Sequence, residues 1–104
     1  MLDHFVPSFV RRLIIYPTPI NTRWGPDRLR AACECDLGVK LDRKTAVIFH
    51  NRRQDTLVLY AVDRSGDQTI TKKLERGAFL LPACPEGRPY VVMKASSVAS
   101  LFRS

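Results

Sequence analysis

The chain is poor in the residues that most enzymes and metal sites need. It has five glycines, two histidines, three cysteines and one tryptophan in 104 residues. The glycines stand singly, so there is no glycine-rich phosphate loop, and no serine sits in a G-x-S-x-G elbow. Cys33 and Cys35 flank Glu34. On a helix, residues two apart point away from each other, so this pair cannot share a tetrahedral ion. Cys84, His4 and His50 are distant and complete no ligand pattern. The cysteines read as small core residues, and neither a metal nor a cofactor is expected. The opening MLDHFVPSF has an acid and no basic n-region, unlike a secretory leader. That and the odd cysteine count favour reduced thiols in a cytoplasmic protein. No apolar run approaches the ~18 residues of a membrane span, so no membrane partner is expected.

Acid is also in short supply. Lys and Arg number 17 against 10 Asp and Glu, a net charge of +7. The excess is uneven: residues 1–42 carry six cations and five anions, residues 43–77 eight and four, and residues 78–104 three and one. The middle third therefore carries most of it. A basic surface of this kind suits a polyanion, of which nucleic acid is the commonest, or serves solubility.

What is present is an ordinary globular balance, 45% hydrophobic and 26% charged. The length fits one domain, residues 1–104, with residues 1–9 as a lead-in. Val10–Tyr16 reads as a strand ended by Pro17 and Pro19. Residues 20–27 (INTRWGPD) are loop. Leu29, Ala32, Cys33 and Leu37 recur at helical spacing. Pro26 and Asp27 suit the first turn and Gly38 the stop, which predicts a helix over 26–37. Thr45–His50, Thr56–Val62 and Gln68–Leu74 are strands separated by the turns NRRQD and DRSGD. Gly77 permits a bend, AFLLP continues as a short strand or edge, Tyr90–Met93 is one more strand, and Ser96 or Ser97 caps a last helix through Phe102. The expected fold is α+β: a small single domain, an antiparallel four- or five-stranded meander sheet with one packed helix and a short C-terminal helix. Strands 45–50 and 56–62 are apolar on both faces. One face is expected under the helix and the other under something else, such as a partner chain.

Two places carry candidate function. The first is basic. Arg52 and Arg53 lie in the first turn, Arg64 in the second, and Lys72, Lys73 and Arg76 near the end of the third strand. Alternate turns lie at opposite ends of a meander, so Arg52, Arg53 and Arg76 are expected at one end and Arg64 at the other. Lys72 and Lys73 point to opposite faces, so at most one joins a single-face patch, and Lys73 is the candidate. Such groups clamp phosphates, and the competing reading is an edge strand guarded by lysines. The second place is Thr22-Arg23-Trp24-Gly25, where Arg23 is a further phosphate contact. Trp24 either stacks on a partner or plugs the loop against the sheet. Asp55, Asp63, Asp67 and Glu75 lie near predicted turns or strand ends and read as turn-forming acids rather than a metal-dependent nuclease site.

VIFHNRRQDTLVLYAVDRSGDQTITKKLERGAFLLP resembles the central signature of the TnpB-type accessory proteins of the insertion sequence sixty-six family. The matching positions are Phe49, Arg52, Arg53, Asp55, the apolar run from Leu57, Asp63, Gly66, Lys72, Lys73, Leu74, Glu75, Gly77, Phe79 and Pro82. Ile20–Gly25 with Leu29, and the terminal VASLF, are looser counterparts. A tryptophan common in the family's strand after the double arginine is absent from LVLYAV, as is the acid before Arg23. The resemblance implies a non-enzymatic helper of DNA transposition, encoded beside a separate transposase. Its expected partners are DNA, through Arg52, Arg53, Lys73, Arg76 and Arg23, and the transposase or another element-encoded protein. The alternative is a protein–protein adaptor or inhibitor, a repurposed mobile-element or phage protein. It would use the sheet face or the edge near Phe79–Pro82, with Trp24, Phe79 and Pro82 as contacts and a second copy of the chain among its partners.

Overall fold

Runs of β-branched and aromatic residues form the sheet. They are β1 (Arg12–Ile15), β2 (Thr45–His50), β3 (Thr56–Asp63), β4 (Gly66–Lys73) and β5 (Val91–Lys94), side by side in the order β4-β3-β2-β1-β5. The structure, a computed structural model, describes residues 5–101. His4 and Phe102, which the sequence reading invoked, lie outside the described residues.

The hairpins β2–β3 and β3–β4 are antiparallel, as the two turns require. The sheet as a whole is mixed, however, not wholly antiparallel. β1 runs parallel to β2, with Arg12 opposite Thr45 and Ile15 opposite Ile48. The cause is the helix between them: a parallel neighbour needs a crossover long enough to return the chain to the end where it started. β5 then adds antiparallel to the outer side of β1.

The crossover helix, α1 (Pro26–Ala31), starts with Pro26 in its first turn beside Asp27. There the missing N–H costs nothing and a carboxylate suits the positive end of the helix dipole. The helix widens into a π-type turn over Ala32–Asp36, with the Leu37 N–H donating to the Ala32 carbonyl at 3.1 Å. Gly38, at φ 64°, stops it.

The segment Ala78–Pro82 is not a strand. It is irregular chain tied down by two backbone bonds, Phe79 N–H to the Gln54 carbonyl at 2.7 Å and Leu80 N–H to the Leu101 carbonyl at 2.8 Å. Gly77, at φ 79°, makes the bend that swings it out of line with β4. A 3-10 helix over Ala95–Leu101 follows β5.

Strand alternation divides the core in two. Ile14, Val47, Phe49, Val58 and Tyr60 face Leu29, Ala32 and Cys33 of the helical segment. Leu13, Ile15, Ala46, Ile48, Leu57 and Leu59 face Phe5, Phe79, Val98 and Leu101. The second face, expected to need a partner, is thus covered by the chain's own lead-in, irregular segment and 3-10 helix.

Candidate nucleic-acid interface

Asn51 organises the β2–β3 turn. Its side-chain oxygen accepts from the Asp55 and Thr56 N–H groups, both at 3.1 Å, and its amide donates to Asp55 at 2.6 Å. Gln54 adopts a positive φ of 60°, the left-handed conformation that the tight turn demands. Arg52 and Arg53, caught between these fixed residues, are left pointing outward and exposed.

β3–β4 pairing sets Thr56 opposite Lys73 and Leu57 opposite Lys72. Lys73 therefore lies on the helix side of the sheet and Lys72 on the other. One groove of about 400 Å³ is lined by Thr22, Asn51, Arg53, Asp55, Thr56, Thr71 and Lys73. It brings together three parts of the chain: the loop before α1, the first turn and the end of β4. The side-chain hydrogen bond from Asn51 is the main cause that holds Asp55 below the usual carboxylate range, assisted by Thr56, Lys73 and Arg53. Asp55 is engaged by the turn, and it tempers the charge of the groove without closing it.

Arg76 is exposed in the loop between two anchors to the same turn: Leu74 N–H on the Asp55 carbonyl at 2.8 Å and Phe79 N–H on the Gln54 carbonyl. Arg23 follows the groove residue Thr22, with its own N–H on the Asn51-like side chain of Asn21 at 2.9 Å. Of the five basic residues singled out from sequence, Arg53 and Lys73 line the groove, while Arg52 is in the same turn, Arg76 in the loop anchored to that turn, and Arg23 next in sequence to Thr22, all three exposed.

The residues read as partner contacts fare differently. Phe79 is only 1% exposed, one of the largest fully buried side chains, so its ring is part of the core and not of a docking surface. Pro82 is exposed. Trp24 is half-buried against the helix-side cluster, with the Arg28 guanidinium 4.3 Å above the ring centre. That is the plug, capped by a cation. The cysteines divide as well: Cys33 is in the core, but Cys35 and Cys84 are exposed rather than packed.

The acids do not converge. Asp55 and Asp63 stand at opposite ends of β3, separated by roughly 25 Å of extended chain. Asp63 accepts from Ser65 N–H and Oγ, each at 2.7 Å, and from Gly66 N–H at 3.0 Å, which makes it a turn acid. Asp67 does something the sequence reading missed. The Tyr60 hydroxyl donates to it at 2.6 Å, and Arg30 of α1 bonds both Tyr60 and Asp67. This clamp joins helix to sheet. Its signal in the sequence was a tyrosine in an otherwise aliphatic buried strand, whose hydroxyl needs a partner. Among the described residues no group of three or more His, Cys, Asp or Glu is placed to hold a metal ion, and no helix is long and apolar enough to cross a membrane.

The family described as IS66 Orf2 like protein matches residues 11–104. The chain belongs to this family. Membership carries an accessory role in transposition of insertion sequences. No curated protein and no solved structure matches the chain. In this IS66 Orf2-like protein the central signature runs from β2, through the turn over residues 51–55 and the β3–β4 hairpin, past the bend at Gly77 to Pro82. It thus supplies all the groove residues except Thr22, and with Phe79 part of the cover of the second sheet face.

Proposed function

We propose that this protein assists transposition by gripping DNA through the sheet-end groove. Arg53 and Lys73 supply the central phosphate contacts, Arg52 and Arg76 the flanking ones, and Arg23 an outer one. The observation that carries this reading is that Arg53 and Lys73, twenty residues apart in sequence, line one groove with the hydroxyl-bearing Thr22, Thr56 and Thr71. Guanidinium, ammonium and hydroxyl donors around a shallow groove suit phosphate oxygens. Contacts of this type position a protein on a duplex without reading bases, so the grip is general and salt-sensitive. The chemistry of strand transfer is left to the transposase.

The test is fluorescence anisotropy with a labelled duplex of ~30 base pairs across a salt series. Reversing Arg52 and Arg53 to Glu should weaken binding and flatten the dependence of log K on log salt by about two contacts' worth. Unchanged affinity and slope in the folded variant would remove these residues from the interface.

A further inference from the structure

The opposite end of the sheet carries a second basic cluster that no run in the sequence announces. β1 and β2 begin there and β5 ends there. Arg11 and Arg12 N–H both donate to the Lys44 carbonyl, at 2.7 and 2.9 Å, and the Arg11 carbonyl accepts from Ala95 N–H at 2.9 Å. Three segments far apart in sequence are thereby stitched side by side, each bringing cations: Arg11 and Arg12, Arg43 and Lys44, and Lys94. Arg64 joins from the β3–β4 turn, lining with Arg43 a depression of about 320 Å³. A larger depression of about 520 Å³ is lined by Arg11, Lys94, Ser8 and Ser96 around an apolar floor.

Among the described residues the Arg12–Lys94 part of this cluster is weakly neutralised. Arg12 lies directly opposite Lys94 in the β1–β5 pair, and like charges in that position destabilise a sheet. Among the described residues Asp42 pairs with Arg12 at 3.8 Å, with both side chains 58% exposed, a geometry that contributes little. Asp63, bonded only to the neutral Ser65 and Gly66, keeps its charge and lines the depression with Arg43 and Arg64, offsetting part of that corner, while Asp67 is paired with Arg30 at the helix. A polyanion laid across this end would relieve the repulsion between Arg12 and Lys94.

We propose that this end is a second phosphate-binding surface, and that the protein bridges two stretches of duplex DNA. The two basic clusters close opposite ends of the same strands and face away from each other, in a molecule 33 Å along its longest axis. Two such surfaces hold two duplex segments rather than one. The identity of the polyanion as DNA rests on the function proposed above. The location of the second surface does not.

The experiment captures a fluorescent ~30-base-pair duplex on beads that carry a second, biotinylated duplex, through purified full-length protein, alongside single-duplex anisotropy. Two variants are compared, R53Q/K73Q for the groove end and R12Q/K94Q for the opposite end, each checked for a native melting profile. Glutamine keeps the stem length and removes the charge. The expected result is bridging by the unaltered protein, and a loss of about tenfold or more in R12Q/K94Q, which still binds a single duplex through its groove. If R12Q/K94Q bridges as well as the unaltered protein, the proposal is overturned. Bridging by dimers that each present a free groove would give that outcome and overturns the proposal likewise. If R53Q/K73Q keeps full single-duplex affinity while R12Q/K94Q loses it, the groove reading fails and one surface remains, which overturns bridging as well. Failure of bridging with the groove's affinity intact leaves the proposed function standing.

Discussion

On the face that α1 covers, the sheet meets a regular helix and is held by polar bonds as well as apolar contact. The Tyr16 hydroxyl donates to Asp36 at 2.7 Å, and Tyr60, Asp67 and Arg30 form the second tie. On the other face, the sheet meets a lead-in, an irregular segment and a 3-10 turn around an apolar cluster, with His50 buried beside it at the end of β2, its Nε2 2.7 Å from the Tyr16 carbonyl. Burial is nonetheless as deep: Leu29 and Phe79, the central covering side chains of the two faces, are each 1% exposed. Regular secondary structure is therefore not what closes this core. Complementary apolar area does that, and the helix face adds tyrosine–carboxylate bonds that tie the helix to the sheet.

The comparison breaks most readily at those two side chains. Phe79→Ala should destabilise the protein by about 3–5 kcal/mol and Leu29→Ala by about 2–5, both from lost transfer energy and the cavity left behind. Chemical denaturation of the two variants measures this. A cost below about 1 kcal/mol for Phe79→Ala would mean that the irregular cover is dispensable to the fold, since a buried aromatic that matters cannot be that cheap.

How legible each face was in the sequence follows from the same difference. The helix face could be read, because Leu29, Ala32, Cys33 and Leu37 recur with a helical period and Pro26 and Gly38 mark its ends. The other cover has no period: Phe5, Phe79, Val98 and Leu101 come from three separated segments and are united only in space. A twofold-apolar strand such as TAVIFH announces that a second cover exists, but not who supplies it, so a partner chain was a natural reading. The parallel β1–β2 pair was legible in principle, since strand, helix and strand succeed one another there. The groove was half legible. Turn alternation put Arg52, Arg53 and Arg76 at one end, and alternation of side chains allowed only one of Lys72 and Lys73, which the β3–β4 register identifies as Lys73. Thr22 and Thr71, which complete it, are unremarkable until register brings them close. Of the second basic cluster only Arg64 was placed from sequence, because Arg12 and Lys94 are neighbours only through strand pairing.

A smaller effect separates the faces by pH. Burial, with the bond to Asp36, raises the Tyr16 hydroxyl from 10.0 to about 12. Burial, with the bond to Asp67, raises Tyr60 likewise to about 12. All these groups belong to the helix face. A folded-state value above the unfolded one means the native chain holds its proton more tightly. The stability so contributed is complete below about pH 10 and is lost as pH climbs toward 12. Urea unfolding from pH 8 to 12 should show this decline, and Tyr60→Phe should make it shallower while costing about 1.5–3 kcal/mol near neutrality, the range for a hydrogen bond to a charged group. An alkaline decline of the same steepness in Tyr60→Phe would trace it to other groups and dissolve the distinction between the faces.

The smallest expected effect is on reactivity rather than stability. Cys33 lies in the helix-face core, and burial pushes its thiol from 9.0 up to about 12, with Glu34 and Asp36 adding to the rise. The thiolate is the reactive form, so Cys33 is doubly protected, by lack of access and by a retained proton. Cys35, two positions on, projects away from the sheet and is exposed, as is Cys84. Native protein treated with a thiol reagent at pH 8 should therefore label quickly at two sites, and at the third only at the rate at which α1 lifts from the sheet. Loosening the clamp by Tyr60→Phe should speed labelling of Cys33 and leave Cys35 and Cys84 unchanged. Labelling of Cys33 as fast as Cys35 in the unaltered protein would mean that the polar ties do not hold the helix down. The helix face would then be the more mobile of the two, despite its regular structure.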